Sequence, residues 1–236
     1  MKKSFLILIL LLVFSNVYGV QNEDVLVSST SRYFKTVTRE YDLQNINSNH
    51  SQTFEITEEE FENFNIGLND VVNTTYKKLT TNIYASGNLY KYEVVLQWKN
   101  IPKVRSYDII GIAYDSNVIY NSDMDFKQSV TGTSSSYVLR DYNEVDSPYG
   151  YTAVFQFPTE NIVGITQIFS FKVRKNASTV YLQTAVGDYS HAISSISSNN
   201  AIKHSISTQR GIELNDSIKN YYDSIVFSQA TWNGTW

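Results

Sequence analysis

The chain has no cysteine in 236 residues, which removes disulfides, zinc–thiolate sites, thiol nucleophiles and a lipidated cysteine anchor. Proline is nearly as scarce, at three residues, and no proline- or glycine-rich stretch marks a linker. The three histidines, His50, His191 and His204, share no short metal-ligand spacing, so no metal and no cofactor are expected. Beyond residue 19 the longest apolar runs reach about five residues, against the ~20 of a membrane-spanning helix. No basic stripe is present either, which argues against nucleic acid as a partner.

The first nineteen residues are the exception to this polarity. A basic "MKK" precedes the apolar run "FLILILLLVF", and Val17 and Gly19 are small residues at the positions before a cut. This is the pattern of a cleaved signal peptide, residues 1–19, followed by one secreted β domain over 20–236. Loss of Lys2 and Lys3 with the leader takes the basic residues from 19 to 17 against 23 acidic ones, a mature net charge of −6. The expected location is therefore secreted or extracellular.

Alternation with a period of two dominates what remains. In "LTTNIYASGNLYKYEVVLQWK" the Gly87-Asn88 pair sits between two alternating runs, as two-residue hairpin turns require. That turn sets Ala85 against Tyr90, Ile83 against Tyr92, Thr81 against Val94 and Leu79 against Leu96. A slip by one residue would mix the apolar and polar faces. A second hairpin is expected at "QIFSFKVRKNASTVYLQTAV", turning at Asn176-Ala177 and pairing Val173 with Val180 and Phe171 with Leu182.

The segment 107–114, "YDIIGIAY", is apolar on both faces and belongs inside a sheet. Further strands are expected at 33–39, 53–56, 137–140 and 151–157. Helix is limited to "TEEEFENF", where Thr57 and Glu60 form a capping box, and residues 214–228 suit helix or strand equally. The fold class is all-β, an antiparallel β-sandwich or jelly-roll-like domain with few short helices.

Arg105 and Asp108 flank the entry to this apolar strand. Residues three apart on a strand face opposite ways, so each needs its own partner. Asp108 shares a face with Ile110 and Ile112, and a lone carboxylate buried there would be costly. Two arrangements answer this: a half-solvated rim, or a polar pocket joining Arg105 and Asp108 to Asp188 and His191 of "GDYSHA". Contiguity of Asp188, Ser190 and His191 is no evidence for a catalytic triad, which is assembled in space. The acidic loops "DSNVIYNSDMD" and "DYNEVD" fit no twelve-residue calcium loop and read as solvated turns. Aromatic residues make up 14% of the chain, and Trp98 is the candidate for stacking on a sugar, although the hairpin register places it on the apolar face opposite Lys77.

Taken together, "LQWKNIPKVRSYDIIGI" and "GDYSHA" resemble a pattern in uncharacterised secreted β-rich proteins of low-GC Gram-positive bacteria. The resemblance implies a bacterial secreted β domain and no particular activity. The expected function is contact with an extracellular protein or glycan, without catalysis. A secreted glycan-active hydrolase is the first alternative, because paired carboxylates could lie among the acidic loops. A toxin-like membrane-interacting protein is the second, suggested by "SSISSNNAIKHSIST"; Ile193 just before it and Ile196 within it are three apart, which breaks the required alternation at its start.

Overall fold

Residues 73–98 fold as they read. Strands β3 (Asn73–Ser86) and β4 (Leu89–Trp98) pair antiparallel with Ala85 opposite Tyr90, Ile83 opposite Tyr92, Leu79 opposite Leu96 and Lys77 opposite Trp98. The turn is two residues long, and Gly87 takes φ 63°, the left-handed conformation that glycine adopts without steric cost. The computed structural model describes residues 23–39, 50–64, 73–207 and 211–236. The expected leader and its expected cut after Gly19 lie outside them.

This hairpin is the middle of a seven-stranded antiparallel sheet. On one side it continues through β1 (Val25–Arg39) to the edge strand β2 (His50–Ile56). On the other it continues through β10 (Ile162–Lys175) and β6 (Val118–Gly132) to β7 (Ser136–Leu139). A short helix, α1 (Glu58–Asn63), follows β2. The Thr57 side chain accepts the Glu60 N–H at 3.1 Å, as the capping box predicts.

The second sheet has five strands. Its order is β14 (Val226–Asn233), β11 (Leu182–Ser190), β5 (Tyr107–Tyr114), β9 (Gly150–Gln156) and β8 (Asn143–Ser147). The isoleucine-rich strand β5 is therefore central, between β11 and β9. Its Ile110, Ile112 and Tyr114 enter the core between the sheets with Leu79, Tyr92, Val94, Leu96, Phe155, Phe169 and Phe171. This is the antiparallel β-sandwich the sequence predicts.

The outward residues of β5 are buried as well, because residues 192–207 and 211–222 cover that face. Ile109 and Val154 pack against Ala192, Ile196, Ala201, Ile212, Ile218 and Tyr222. The covering segment carries the short helix α2 (Ser198–Ala201) and the strand pair β12 (Ser205–Ser207) and β13 (Gly211–Glu213). Ser106 pins it: its hydroxyl lies 2.9 Å from the Ile196 N–H and 3.1 Å from the Ile196 carbonyl. Residues 194–207, most of the run that suggests a membrane hairpin, thus pack over this face, with Ile193 and Ile196 buried.

The second expected hairpin does not form. Val173 pairs with Tyr90 and Tyr120, whereas β11 lies in the opposite sheet beside β5 and β14. The chain crosses between sheets after Asn176, whose N–H bonds the Asn117 carbonyl at 2.7 Å. Alternation makes each run a strand but does not choose its partner, and Asn-Ala lacks the left-handed preference that locks a two-residue turn. The ambiguous stretch 214–228 resolves into a 3₁₀ turn at Lys219–Tyr221 and the start of β14.

Candidate functional site

Asp108 points inward from β5 and is fully buried. It is not at a half-solvated rim. A buried carboxylate requires donors, and Asp108 has three. The Tyr189 hydroxyl donates to Oδ2, the Ala192 N–H donates to Oδ1 at 2.9 Å, and His191 Nδ1 lies 3.0 and 3.1 Å from the two oxygens. Tyr189 reaches Asp108 because it alternates inward on β11. His191 and Ala192 follow where that strand ends and the chain turns over the mouth of β5.

His191 is 4% exposed. Trp98 meets its ring edge-on at 5.2 Å between centroids and Phe157 does so at 6.0 Å. The His191 backbone N–H donates to Asp223 Oδ1 at 2.8 Å, and Lys77 Nζ bonds Asp223 Oδ2. Lys77 is fully buried and lies 5.5 Å from the Trp98 ring centroid and 5.3 Å from that of Tyr189. The Tyr189 hydroxyl has its pKa pushed well above the ordinary value, first by burial and then by the Asp108 charge. Lys77, Asp108, Tyr189, His191 and Asp223 form one polar chain tying the two sheets through their shared core.

Of the four charged residues singled out from sequence, the structure brings together two, Asp108 and His191. Arg105, at the mouth of β5, turns outward and donates to the Glu160 carbonyl and, at 3.5 Å, toward the Pro158 carbonyl. Asp188 precedes Tyr189 on β11 and therefore faces the other side of the sheet. There it lies beneath β13, and neither carboxyl oxygen has a hydrogen-bond partner among the described residues. Burial raises its pKa well above the ordinary carboxyl value, and the Ile212 N–H, near the carboxyl but outside hydrogen-bond geometry, draws it only partly back. Ser190 donates to the Asp223 carbonyl at 3.1 Å and has no contact with His191 that would make it a nucleophile.

The Asp108–His191 couple resembles half of a general-base arrangement, since the carboxylate orients the ring and leaves Nε2 with a lone pair. The space beside it is the obstacle. The cavity beside it, lined by Thr36, Thr38, Thr75, Pro102 and His191 among others, measures about 40 Å³, room for a few water molecules at most.

Trp98 is also internal. It is 7% exposed, donates from Nε1 to Gln167 Oε1 at 3.2 Å, and packs edge-on against Phe157 and Tyr189. It offers no exposed stacking face. His204 is buried too, with Nδ1 donating to the Ala201 carbonyl at 2.9 Å and Nε2 facing the Thr152 hydroxyl at 2.7 Å. Burial lowers its pKa. The acidic runs read as solvated turns are largely strand: Asp123 and Asp125 lie on β6, where they pair with Lys172 and Arg140, and Asn143 and Asp146 lie on β8.

A larger concavity opens where β7 and β9 end and the loop after Phe157 begins. It holds about 440 Å³ and is lined by the rings of Tyr107, Tyr137 and Tyr142 and by Asp141 and Glu160. The three tyrosines are half-buried, while Asp141 and Glu160 are exposed. Burial and then the Glu160 carboxylate raise the Tyr137 hydroxyl pKa. Arg105 sits on its rim through its bond to Glu160. Tyr137 was visible in the sequence only as part of a short strand, and nothing there placed it beside Tyr107 and Tyr142.

No family model matches the chain, and no curated protein matches it. Among solved structures it is similar to the full-length major pilin SpaD from Corynebacterium diphtheriae, with a TM-score of 0.32 and 11% identity over 67% of this chain and 54% of that one. The chain spans about half the length of that pilin. So slight an overlap bears on neither ligand nor site. No helix among the described residues is long and apolar enough to cross a membrane.

Proposed function

We propose that the protein is a secreted or cell-surface β-sandwich of bacterial origin that acts by contact, with an extracellular glycan held in the tyrosine-lined cleft. The observation that carries this reading is the division of labour between the two polar clusters. The buried one satisfies its own donors and leaves no space for a substrate. The open one combines half-buried tyrosine rings, which stack on the apolar faces of sugars, with carboxylates that accept hydroxyl hydrogen bonds.

Retention of the protein on polysaccharide affinity gels tests this. The unmodified chain is retarded on at least one gel, and Tyr137→Ala or Tyr142→Ala weakens that binding by about tenfold, the equivalent of ~1.4 kcal/mol. Trp98→Ala affects binding only as far as it unfolds the protein. Absence of retention across a broad polysaccharide set, or full retention by both tyrosine variants, would contradict the assignment. Asp141 and Glu160 supply a second reading, because both carboxyl groups border the same cleft. Release of reducing sugar by the unmodified chain, lost in Asp141→Asn or Glu160→Gln, would replace contact by glycan hydrolysis.

A further inference from the structure

Lys77 is the residue that packing explains least. Alternation along β3 places it on the same inward face as Leu79, Thr81 and Ile83, and its side chain is fully buried between the sheets. Its Nζ lies against Oδ2 of Asp223, 146 residues further along the chain. Trp98 and Tyr189 enclose the nitrogen, and the other Asp223 oxygen is held by the His191 N–H at 2.8 Å. Taking an ammonium and a carboxylate out of water costs several kcal/mol per ion, so the pair is an expensive way to join two sheets if it remains ionic.

We propose that Lys77 and Asp223 condense to an intramolecular amide. The proton that makes them ions passes from Nζ to Oδ2 along their hydrogen bond, leaving an uncharged amine and acid. The Nζ lone pair then attacks Cγ while negative charge develops on Oδ1. The His191 N–H, already bonded to that oxygen, stabilises it as an oxyanion-hole donor does. Collapse forms the Nζ–Cγ bond and breaks the Cγ–Oδ2 bond. A second proton from nitrogen leaves with Oδ2, so one water departs and no oxidant, reductant or other reactant is needed. Fixed proximity supplies the effective concentration, and exclusion of water opposes hydrolysis of the product. The bond joins β3 of one sheet to the segment entering β14 of the other.

Mass spectrometry of the full chain, purified folded and then denatured, tests the proposal. The intact mass is lower by one water than that of the same polypeptide without the bond, and digestion yields a branched peptide joining Lys77 to Asp223. Lys77→Arg and Asp223→Ala restore the full mass for their sequences. A folded unmodified chain at its full mass, with Lys77 and Asp223 recovered in separate linear peptides, would overturn the proposal. So would a water deficit traced to any other residue. Because the decisive reading is made on the unmodified chain, a variant that fails to fold does not obscure it.

Discussion

Replacing Asp108 by alanine is expected to destabilise the protein by about 3–5 kcal/mol, a loss at the upper end for a single substitution. The reason lies in what remains. The Tyr189 hydroxyl, the His191 ring N–H and the Ala192 N–H all use Asp108 as acceptor, and each buried donor left alone costs about 1–3 kcal/mol. These costs share one site and do not add fully. Asp108→Asn retains a carbonyl oxygen and falls between the alanine variant and the unmodified chain. Urea titration followed by tryptophan fluorescence reads both, with the midpoint moving and the slope unchanged. Retention on the polysaccharide gel persists in Asp108→Asn wherever the protein is folded, because the cleft tyrosines are elsewhere. A midpoint within error of the unmodified chain would mean that Asp108 is not the hub of the inter-sheet network.

Asp188 gives the second large effect, and it depends on pH. In the unfolded chain this carboxyl titrates near ~3.9. In the folded chain burial without a hydrogen-bond partner raises its pKa well above that. Between the two values the folded state binds a proton that the unfolded state has released, so stability falls as pH rises. The contribution is fully present below the unfolded value and is lost on climbing through the folded one. Asp188→Asn removes the titration. The stability of this variant relative to the unmodified chain is therefore constant below pH ~4 and improves above it by about 1.4 kcal/mol per pH unit, until the folded value is reached. Urea titrations at a series of pH values between these limits measure the difference. A pH-independent difference would show that Asp188 is paired or solvated. The neighbouring backbone leaves little room for relief: Gly211 has φ +67°, and a Cβ there would fall 1.7 Å from Asp188 Oδ2, so only glycine lets β13 close over the acid.

Much of the architecture was legible in the sequence because it is local. Gly87-Asn88 fixed one register, and that register put Lys77 opposite Trp98 on the inward face. Two apolar faces placed β5 inside a sheet, and the capping box located α1. The inward direction of Asp108 was also readable, since it shares a face with Ile110 and Ile112. Its partner was less so: His191 is 83 residues away, and the contact exists only because β11 pairs with β5, a choice that alternation cannot make. The same limit produced the false hairpin at Asn176-Ala177. Lys77 carried a signal that went unused, as a lysine in the middle of an apolar face demands an acidic partner. Asp223, in the polar stretch before β14, carried none. Asp188 was grouped with His191 by proximity in sequence, yet adjacent strand residues point to opposite faces, and that rule alone separates Asp188 from Tyr189.

The Asp108–His191–Asp223 cluster is a closed inter-sheet tie, and the cavity of about 40 Å³ beside it is too small for a sugar or peptide. Native-state amide hydrogen exchange at His191 and Ala192, whose N–H groups bind Asp223 and Asp108, tests it most directly. Both amides are expected to exchange only through global unfolding, with the denaturant dependence of the whole protein. Exchange through a small local opening, insensitive to denaturant and much faster than unfolding, would contradict it and return the histidine to consideration as a working catalytic base.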